Sequence, residues 1–181
     1  MSNIVLIGPQ NSGKSTTGKA LSFILKRLQV SLDDFKDAFH DESGFDPMES
    51  SKLYQDYGIM AWYQYGKKRE ALLTLDALNN TRNSIIDFGA GHSEYSDRDL
   101  FEKVKSALCG NVVVLLLPSI DEEITRSVLK NRLQNDPQSW PLVEYLLNSP
   151  CNRLLANFVI YTNGKNAFEV ASEIFERMNE S

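Results

Sequence analysis

The sequence predicts a three-layer α/β/α fold, with helices on both faces of a parallel sheet of five strands. Three observations carry this. Short apolar runs at Ile4–Ile7, Val112–Leu117 and Phe158–Tyr161 read as strands, the second of them continuous enough to be buried on both faces. Segments with apolar residues at helical spacing alternate with these runs, the pattern of β-α-β units. Glycine turns and acidic residues gather where the strands end, the edge at which parallel sheets bind ligands.

In chain order, residues 4–7 form the first strand and the glycine-bounded loop 8–13 leads into a helix to about Leu28. Leu21, Ile24, Leu25 and Leu28 are the expected buried face of that helix. Val30 to Asp34 reads as a short strand that delivers polar residues at its end. Asp46-Pro47-Met48-Glu49 is a strong helix start, with a capping Asp, Pro at the first helical position and Glu at the third. Helical spacing continues to about Leu78, with an interruption near Gly58. Ser84–Phe88 is a strand ending in the turn Gly89-Ala90-Gly91. A helix capped within Ser96–Asp99 buries Leu100, Phe101, Val104 and Leu108 and stops at Gly110. After the central strand 112–117, Ser119-Ile120-Asp121-Glu122 reads as a capping box. The helix it opens carries Arg126 and Arg132, and Gln134–Pro141 is polar and irregular. The last strand, 158–161, turns at Asn163-Gly164 into a final helix capped by Asn166 to Glu169.

Length and charge narrow the classes of function. A chain of 181 residues suits one domain with a full core. A net charge of −5 and the lack of a basic stripe argue against a nucleic-acid partner, while a local basic patch is still compatible with a phosphorylated ligand. The longest apolar run is far too short to cross a bilayer. Cys109 and Cys151 read as reduced thiols, and the first strand begins almost at Met1, which leaves no signal-like segment. The expectation is a cytoplasmic protein, monomeric or weakly dimeric, whose ligands are small molecules.

Gly8-Pro9-Gln10-Asn11-Ser12-Gly13-Lys14-Ser15 fits G-x-x-x-x-G-K-[ST] between a strand and a helix, which is the context its chemistry requires. Its glycines allow a tight turn, so that N–H groups of Gly8 and of Asn11, Ser12, Gly13, Lys14, Ser15 and Thr16 can surround a phosphate. The helix start adds unpaired donors and partial positive charge. Lys14 is placed to reach the β- and γ-phosphates and the Ser15 hydroxyl to ligate Mg²⁺. Asp87, closing an apolar strand, is the candidate second support for that ion; an ordinary polar strand end is the alternative. Asp33 and Asp34 stand beside the expected phosphate site. Asp33 is the candidate to orient an acceptor hydroxyl and take its proton, whereas Asp34 reads equally as a helix cap. Gly89 and Gly91 allow a substrate close to the backbone, and His92 carries little weight as a lone histidine. Lys67, Lys68 and Arg69 read as an anionic-substrate clamp or a solvated helix face; Trp62, Tyr63 and Tyr65 read as pocket walls or core. Arg126 and Arg132 are candidates to stabilise charge on a transferring phosphoryl group.

With these residues placed, the chain resembles the shikimate kinase-like group of P-loop kinases, within the nucleoside monophosphate kinase-like fold. Gly13-Lys14-Ser15-Thr16-Thr17-Gly18 matches that group's G-K-S-T-x-G. Ser31-Leu32-Asp33 falls where shikimate kinases have D-x-D, and Phe88-Gly89-Ala90-Gly91 falls at their triple-glycine loop. Pro141-Leu142 follows the lid as Pro-Leu does there, and Tyr161-Thr162-Asn163-Gly164 resembles the adenine-side turn. The resemblance spans nearly the whole chain, with the P-loop as its most specific part. It implies a P-loop NTPase fold, substrate-binding helices over about 35–78 and a mobile lid over about 132–142. It also implies ATP and Mg²⁺ as cofactors, Thr162 on the nucleotide side, and phosphorylation of a small-molecule hydroxyl. The departures concern the acceptor: Ser31, Trp140 and Asn148 stand where the group has an Asp and two arginines. The expected activity is therefore that of an ATP-dependent kinase for an acceptor other than shikimate. The alternative is a catalytically weak ATP- or GTP-binding protein that uses the nucleotide as a regulatory or structural ligand.

Overall fold

The computed structural model describes residues 2–35 and 37–180. Along the chain run β1 (Ile4–Ile7), α1 (Lys14–Leu25), β2 (Gln29–Ser31), a 3₁₀ turn (Leu32–Phe35), α2 (His40–Ser43), α3 (Pro47–Tyr57), α4 (Ile59–Tyr65) and α5 (Lys67–Asn80). They are followed by β3 (Ile85–Asp87), α6 (Arg98–Leu108), β4 (Val112–Leu117), α7 (Glu122–Arg132), a second 3₁₀ turn (Pro137–Ser139), α8 (Trp140–Asn148), α9 (Cys151–Leu155), β5 (Phe158–Tyr161) and α10 (Ala167–Asn179).

The strands form one sheet in the order β2-β3-β1-β4-β5. Every neighbouring pair is parallel. Strand residues alternate between faces, and both faces of β1 are buried. Ile4 and Leu6 meet Leu21 of α1 and Val170, Ala171 and Ile174 of α10. Val5 and Ile7 pack with Leu73, Ala77 and Leu78 of α5 and Val104 and Leu108 of α6. This two-sided burial explains why the central strands contain no polar residue until their carboxyl ends. The register sets Leu6 of β1 beside Asp87 of β3, so the carboxylate emerges next to the loop that β1 feeds. Among the described residues no helix is long and apolar enough to cross a membrane.

Caps fix several boundaries. Asp46 accepts from the Met48 N–H, and Asn166 forms a reciprocal capping box with Glu169. At α7 the expected box at Ser119 is displaced: Asp121 caps the helix, and the Ser119 hydroxyl accepts from the Asp121 N–H instead. The first helix stops at Leu25 because Lys26 takes a left-handed conformation, φ 53°, which leaves Leu28 exposed rather than on a buried face. β2 ends at Ser31, and Asp33 and Asp34 lie in the 3₁₀ turn beyond it, not in the strand. The helical stretch from Pro47 breaks twice, at Gly58 as expected and again at Gly66. Helices α8 and α9 follow the irregular segment 134–141, in a stretch to which the sequence reading assigned no element of its own.

Candidate functional site

The loop between β1 and α1 holds its shape through its own backbone. Gly8 has φ 140°, and a Cβ there would lie 2.5 Å from the Leu116 carbonyl oxygen, so the position excludes any side chain. Gly13, at φ 99°, opens α1 with no side-chain cap, which leaves the first helical N–H groups for an anion. The Lys14 ammonium donates to the carbonyls of Gly8 and Pro9, 3.0 Å each, so its stem folds back over the loop. Burial pulls Lys14 below the ordinary lysine range, and the nearby Asp87 and Asp33 carboxylates oppose that shift. The Ser12 hydroxyl is buried with no partner.

At the end of β3, Asp87 is 2% exposed. Its Oδ2 has no partner. Burial pushes its carboxyl above the usual carboxylate range; the Ser15 hydroxyl at its side and Lys14 pull the other way. A buried, half-satisfied carboxylate facing a serine hydroxyl fits Mg²⁺, which prefers a few oxygen ligands and completes its shell with phosphates and water. Among the described residues no cluster of three His, Cys, Asp or Glu could hold a metal, so this pair stands without a dedicated cage. Asp87→Asn should leave nucleotide binding in EDTA nearly unchanged while reducing the gain from added Mg²⁺ about tenfold or more. Titration of nucleotide affinity against Mg²⁺ tests this, and an unaltered gain would make Asp87 a purely structural residue.

Two cavities open from this loop. One, about 450 Å³, runs along residues 11–17 to Arg132, Thr162, Lys165, Ala167 and Val170. Arg132 donates to the Asn11 carbonyl at 2.8 Å, while the Asn11 amide donates to the Arg132 carbonyl at 3.2 Å, a reciprocal clasp between α7 and the loop. Thr162 donates to the Ser12 carbonyl at 3.3 Å. The second cavity, about 490 Å³, is lined by residues that include Lys14, Asp33, Trp62, Glu70, Gly91 and His92. Both volumes suit a small ligand. Asn11, Lys14 and Ser15 border both cavities, so the two join at the loop.

The floor of the second cavity is a buried polar network. Lys67, 7% exposed, donates to Glu70 at 2.7 Å, to the Tyr63 hydroxyl at 3.0 Å and to the Gly91 carbonyl at 2.5 Å. Its ammonium also lies 4.4 Å from the ring centres of Tyr63 and Tyr95. Tyr63 and Tyr145 donate to the two oxygens of Glu94, at 2.6 and 2.8 Å. Burial and the Glu94 carboxylate push the Tyr63 phenol far above its ordinary range, so it stays protonated as a donor. A Cβ at Gly91 would collide with Tyr63 and Glu70, and one at Gly89 with Asp33 and His92. These glycines therefore give way to the site's own side chains.

The placement of the candidates corrects several expectations. Lys67 is committed to the floor and Arg69 stacks on Phe45, 4.2 Å from the ring centre, beside His40; Arg69 does not line the acceptor cavity. The basic run is thus no clamp for an anion. Arg126 turns away from the nucleotide cavity and bonds Asn148 at 2.7 Å and Glu144 at 3.3 Å. Gly89 lies outside the lining, with Gly91 inside it. Lys14, Ser15, Asp33, Trp62 and Gly91 do converge on the second cavity, and Arg132 and Thr162 on the first. Sequence reasoning missed Glu70, Lys165 and Asp136. The i,i+3 spacing of Lys67 and Glu70 was the available signal for the first of these; Lys165 and Asp136 had none.

No family profile matches the chain. A curated shikimate kinase of Francisella philomiragia is 28% identical over 176 residues, covering 95% of this chain and 92% of the relative. Among solved structures, the shikimate kinase of Acinetobacter baumannii in complex with shikimate superposes with a TM-score of 0.65 at 23% identity, covering 99% and 94% of the two chains. A gluconokinase from Sinorhizobium meliloti has a TM-score of 0.55 at 18% identity, covering 99% and 92%. The resemblance, in sequence and in fold, is to P-loop kinases of the shikimate kinase-like group.

Proposed function

We propose, from that resemblance, that this chain is an ATP-dependent small-molecule kinase that phosphorylates a hydroxyl of an acceptor other than shikimate. The observation that carries the reading is the junction of the two cavities at Asn11, Lys14 and Ser15, with Asp33 on the acceptor side. When bound, Mg·ATP supplies the phosphoryl group and the metal charge that offsets it. The loop amides and Lys14 would hold the phosphates, Arg132 would reinforce them from α7, and Ser15 and Asp87 would hold the metal. Asp33 would orient the acceptor hydroxyl and take its proton. The free thiols Cys109 and Cys151 suit a reducing, cytoplasmic setting.

Among the described residues lining the acceptor cavity, Lys14 is the sole cation, against Asp33, Glu70 and Asp136. A carboxylate ligand would lack the bidentate arginine that such recognition normally uses. ADP release with Mg·ATP and submillimolar shikimate should therefore stay below about one turnover per second, the lower end of ordinary enzyme rates. Faster turnover would sink the exclusion of shikimate. ADP release should rise above the ATPase background with another hydroxyl compound. Tight Mg·ATP binding with no acceptor-stimulated release across sugars, cyclitols, nucleosides and nucleotides would favour the regulatory nucleotide-binding alternative.

A further inference from the structure

We propose that Asn11 is a positioning residue, which holds the Arg132 guanidinium beside the phosphate site by bonding that arginine at both of its ends. Resting on the kinase reading, which puts Mg·ATP in the first cavity, this gives the Asn11 side chain a task beyond its backbone N–H.

The Arg132 Nη1 donates to the Asn11 carbonyl at 2.8 Å, and the Asn11 Nδ2 donates to the Arg132 carbonyl at 3.2 Å. Arg132 is the last residue of α7, so its carbonyl is one that the helix leaves without an internal partner. The Asn11 amide supplies that partner, and the Asn11 carbonyl fixes the far end of the side chain. An arginine tied at main chain and guanidinium has already given up the rotamer freedom that binding would otherwise cost.

Residue 11 suits this task by its chemistry. Its φ is 61°, a left-handed conformation that glycine and asparagine enter readily and most side chains avoid. Glycine would keep the path of the loop but has no amide to donate. Aspartate would turn an acceptor toward the Arg132 carbonyl, itself an acceptor. Asparagine meets both demands.

Charge points the same way. Among the described residues no carboxylate pairs with Arg132, whereas Arg126 on the same helix lies 3.3 Å from Glu144. Arg132 lines the first cavity together with residues 11–17, so its unmatched charge borders the groove that phosphates would fill. A single carbonyl occupies only part of the guanidinium fork and leaves N–H groups for phosphate oxygens. The chain just beyond is held from the acceptor side, where the Tyr54 hydroxyl donates to Gln138 at 3.0 Å.

The test is a double-mutant cycle read by calorimetric titration with Mg·AMP-PNP and with Mg·ADP, no acceptor being needed. Asn11 and Arg132 are both exposed, so their replacement leaves the core untouched. Arg132→Ala should weaken Mg·AMP-PNP about tenfold or more, the loss expected for charge-assisted hydrogen bonds. Asn11→Gly, which keeps the left-handed turn, should weaken it about three- to fivefold, as for one neutral hydrogen bond. The double variant should bind no more weakly than Arg132→Ala, because Asn11 acts through the arginine. Losses for Mg·ADP should stay under about twofold, since a diphosphate lacks the terminal group that Arg132 serves. Additive losses, equal losses for the two nucleotides, or a parent-like Asn11→Gly would each overturn the inference. A residue that merely shaped the loop would give the first two of these. The underlying reading fails separately: a parent that does not bind Mg·AMP-PNP removes the nucleotide site itself. A parent that binds it, with additive losses in the variants, keeps that site and removes only the role of Asn11.

Discussion

Lys14→Ala should abolish phosphoryl transfer and remove most of the stabilisation that Mg·ATP confers. At nucleotide about 100-fold above its dissociation constant, binding stabilises the native state by about 2.7 kcal/mol. In a chain of this length that corresponds to a rise in Tm of about 5–10 °C. The alanine variant should show little of this rise and a kcat lower by about 10²–10³ or more, since preorganised charge at the transferring group is the main catalytic term. Its ligand-free fold should survive. The ammonium is buried, its pKa is depressed, and it is satisfied by two carbonyls of its own loop, so removing it also removes a desolvation cost. Thermal-shift curves with and without Mg·ATP read both effects in one experiment. A parent-like shift in the variant would place the nucleotide elsewhere.

Asp33→Asn should separate binding from chemistry. The carboxylate lies in the 3₁₀ turn after β2, exposed to the acceptor cavity and close against Gly89. Asparagine preserves its shape but cannot take a proton, so kcat should fall by about 10²–10⁴ while the Mg·ATP thermal shift stays intact. Rates measured with whichever acceptor stimulates ADP release give the comparison. A loss below about threefold would reduce Asp33 to a bystander, and the hydroxyl proton would have to leave by another route.

The fold was legible because parallel strands buried on both faces leave uninterrupted apolar runs. β1, β4 and β5 begin and end where those runs do. The nucleotide side was legible for a related reason: backbone chemistry fixes its residue types, and Gly8 can be nothing else beside the Leu116 carbonyl. The acceptor side was obscure because burial, which sequence does not display, decides what a charge does. Lys67, Lys68 and Arg69 are consecutive, yet the first is sealed under the floor, the second is exposed and the third stacks on Phe45. Arg126 follows the same lesson, since its helix face is set by where Asp121 caps α7 and by partners 18 and 22 residues away. His92 looked idle for want of a motif. The structure buries it beside Asp33, over Gly89.

The network beneath the acceptor cavity also divides labour between positions that can and cannot vary. Lys67, Glu70, Tyr63, Glu94 and Tyr145 share hydrogen bonds so closely that altering any one leaves another without its partner in a largely buried floor. Tyr54, Ile59, Trp62 and Leu142 border the same cavity without belonging to that circuit, and Tyr54 and Trp62 are partly open to solvent. A change of acceptor can therefore be reached by single exchanges at the rim, each leaving the floor and the phosphate loop as they are. Libraries confined to these four rim positions should yield folded, nucleotide-binding variants with shifted acceptor preference, whereas equal diversity at the floor should yield mainly unfolded chains.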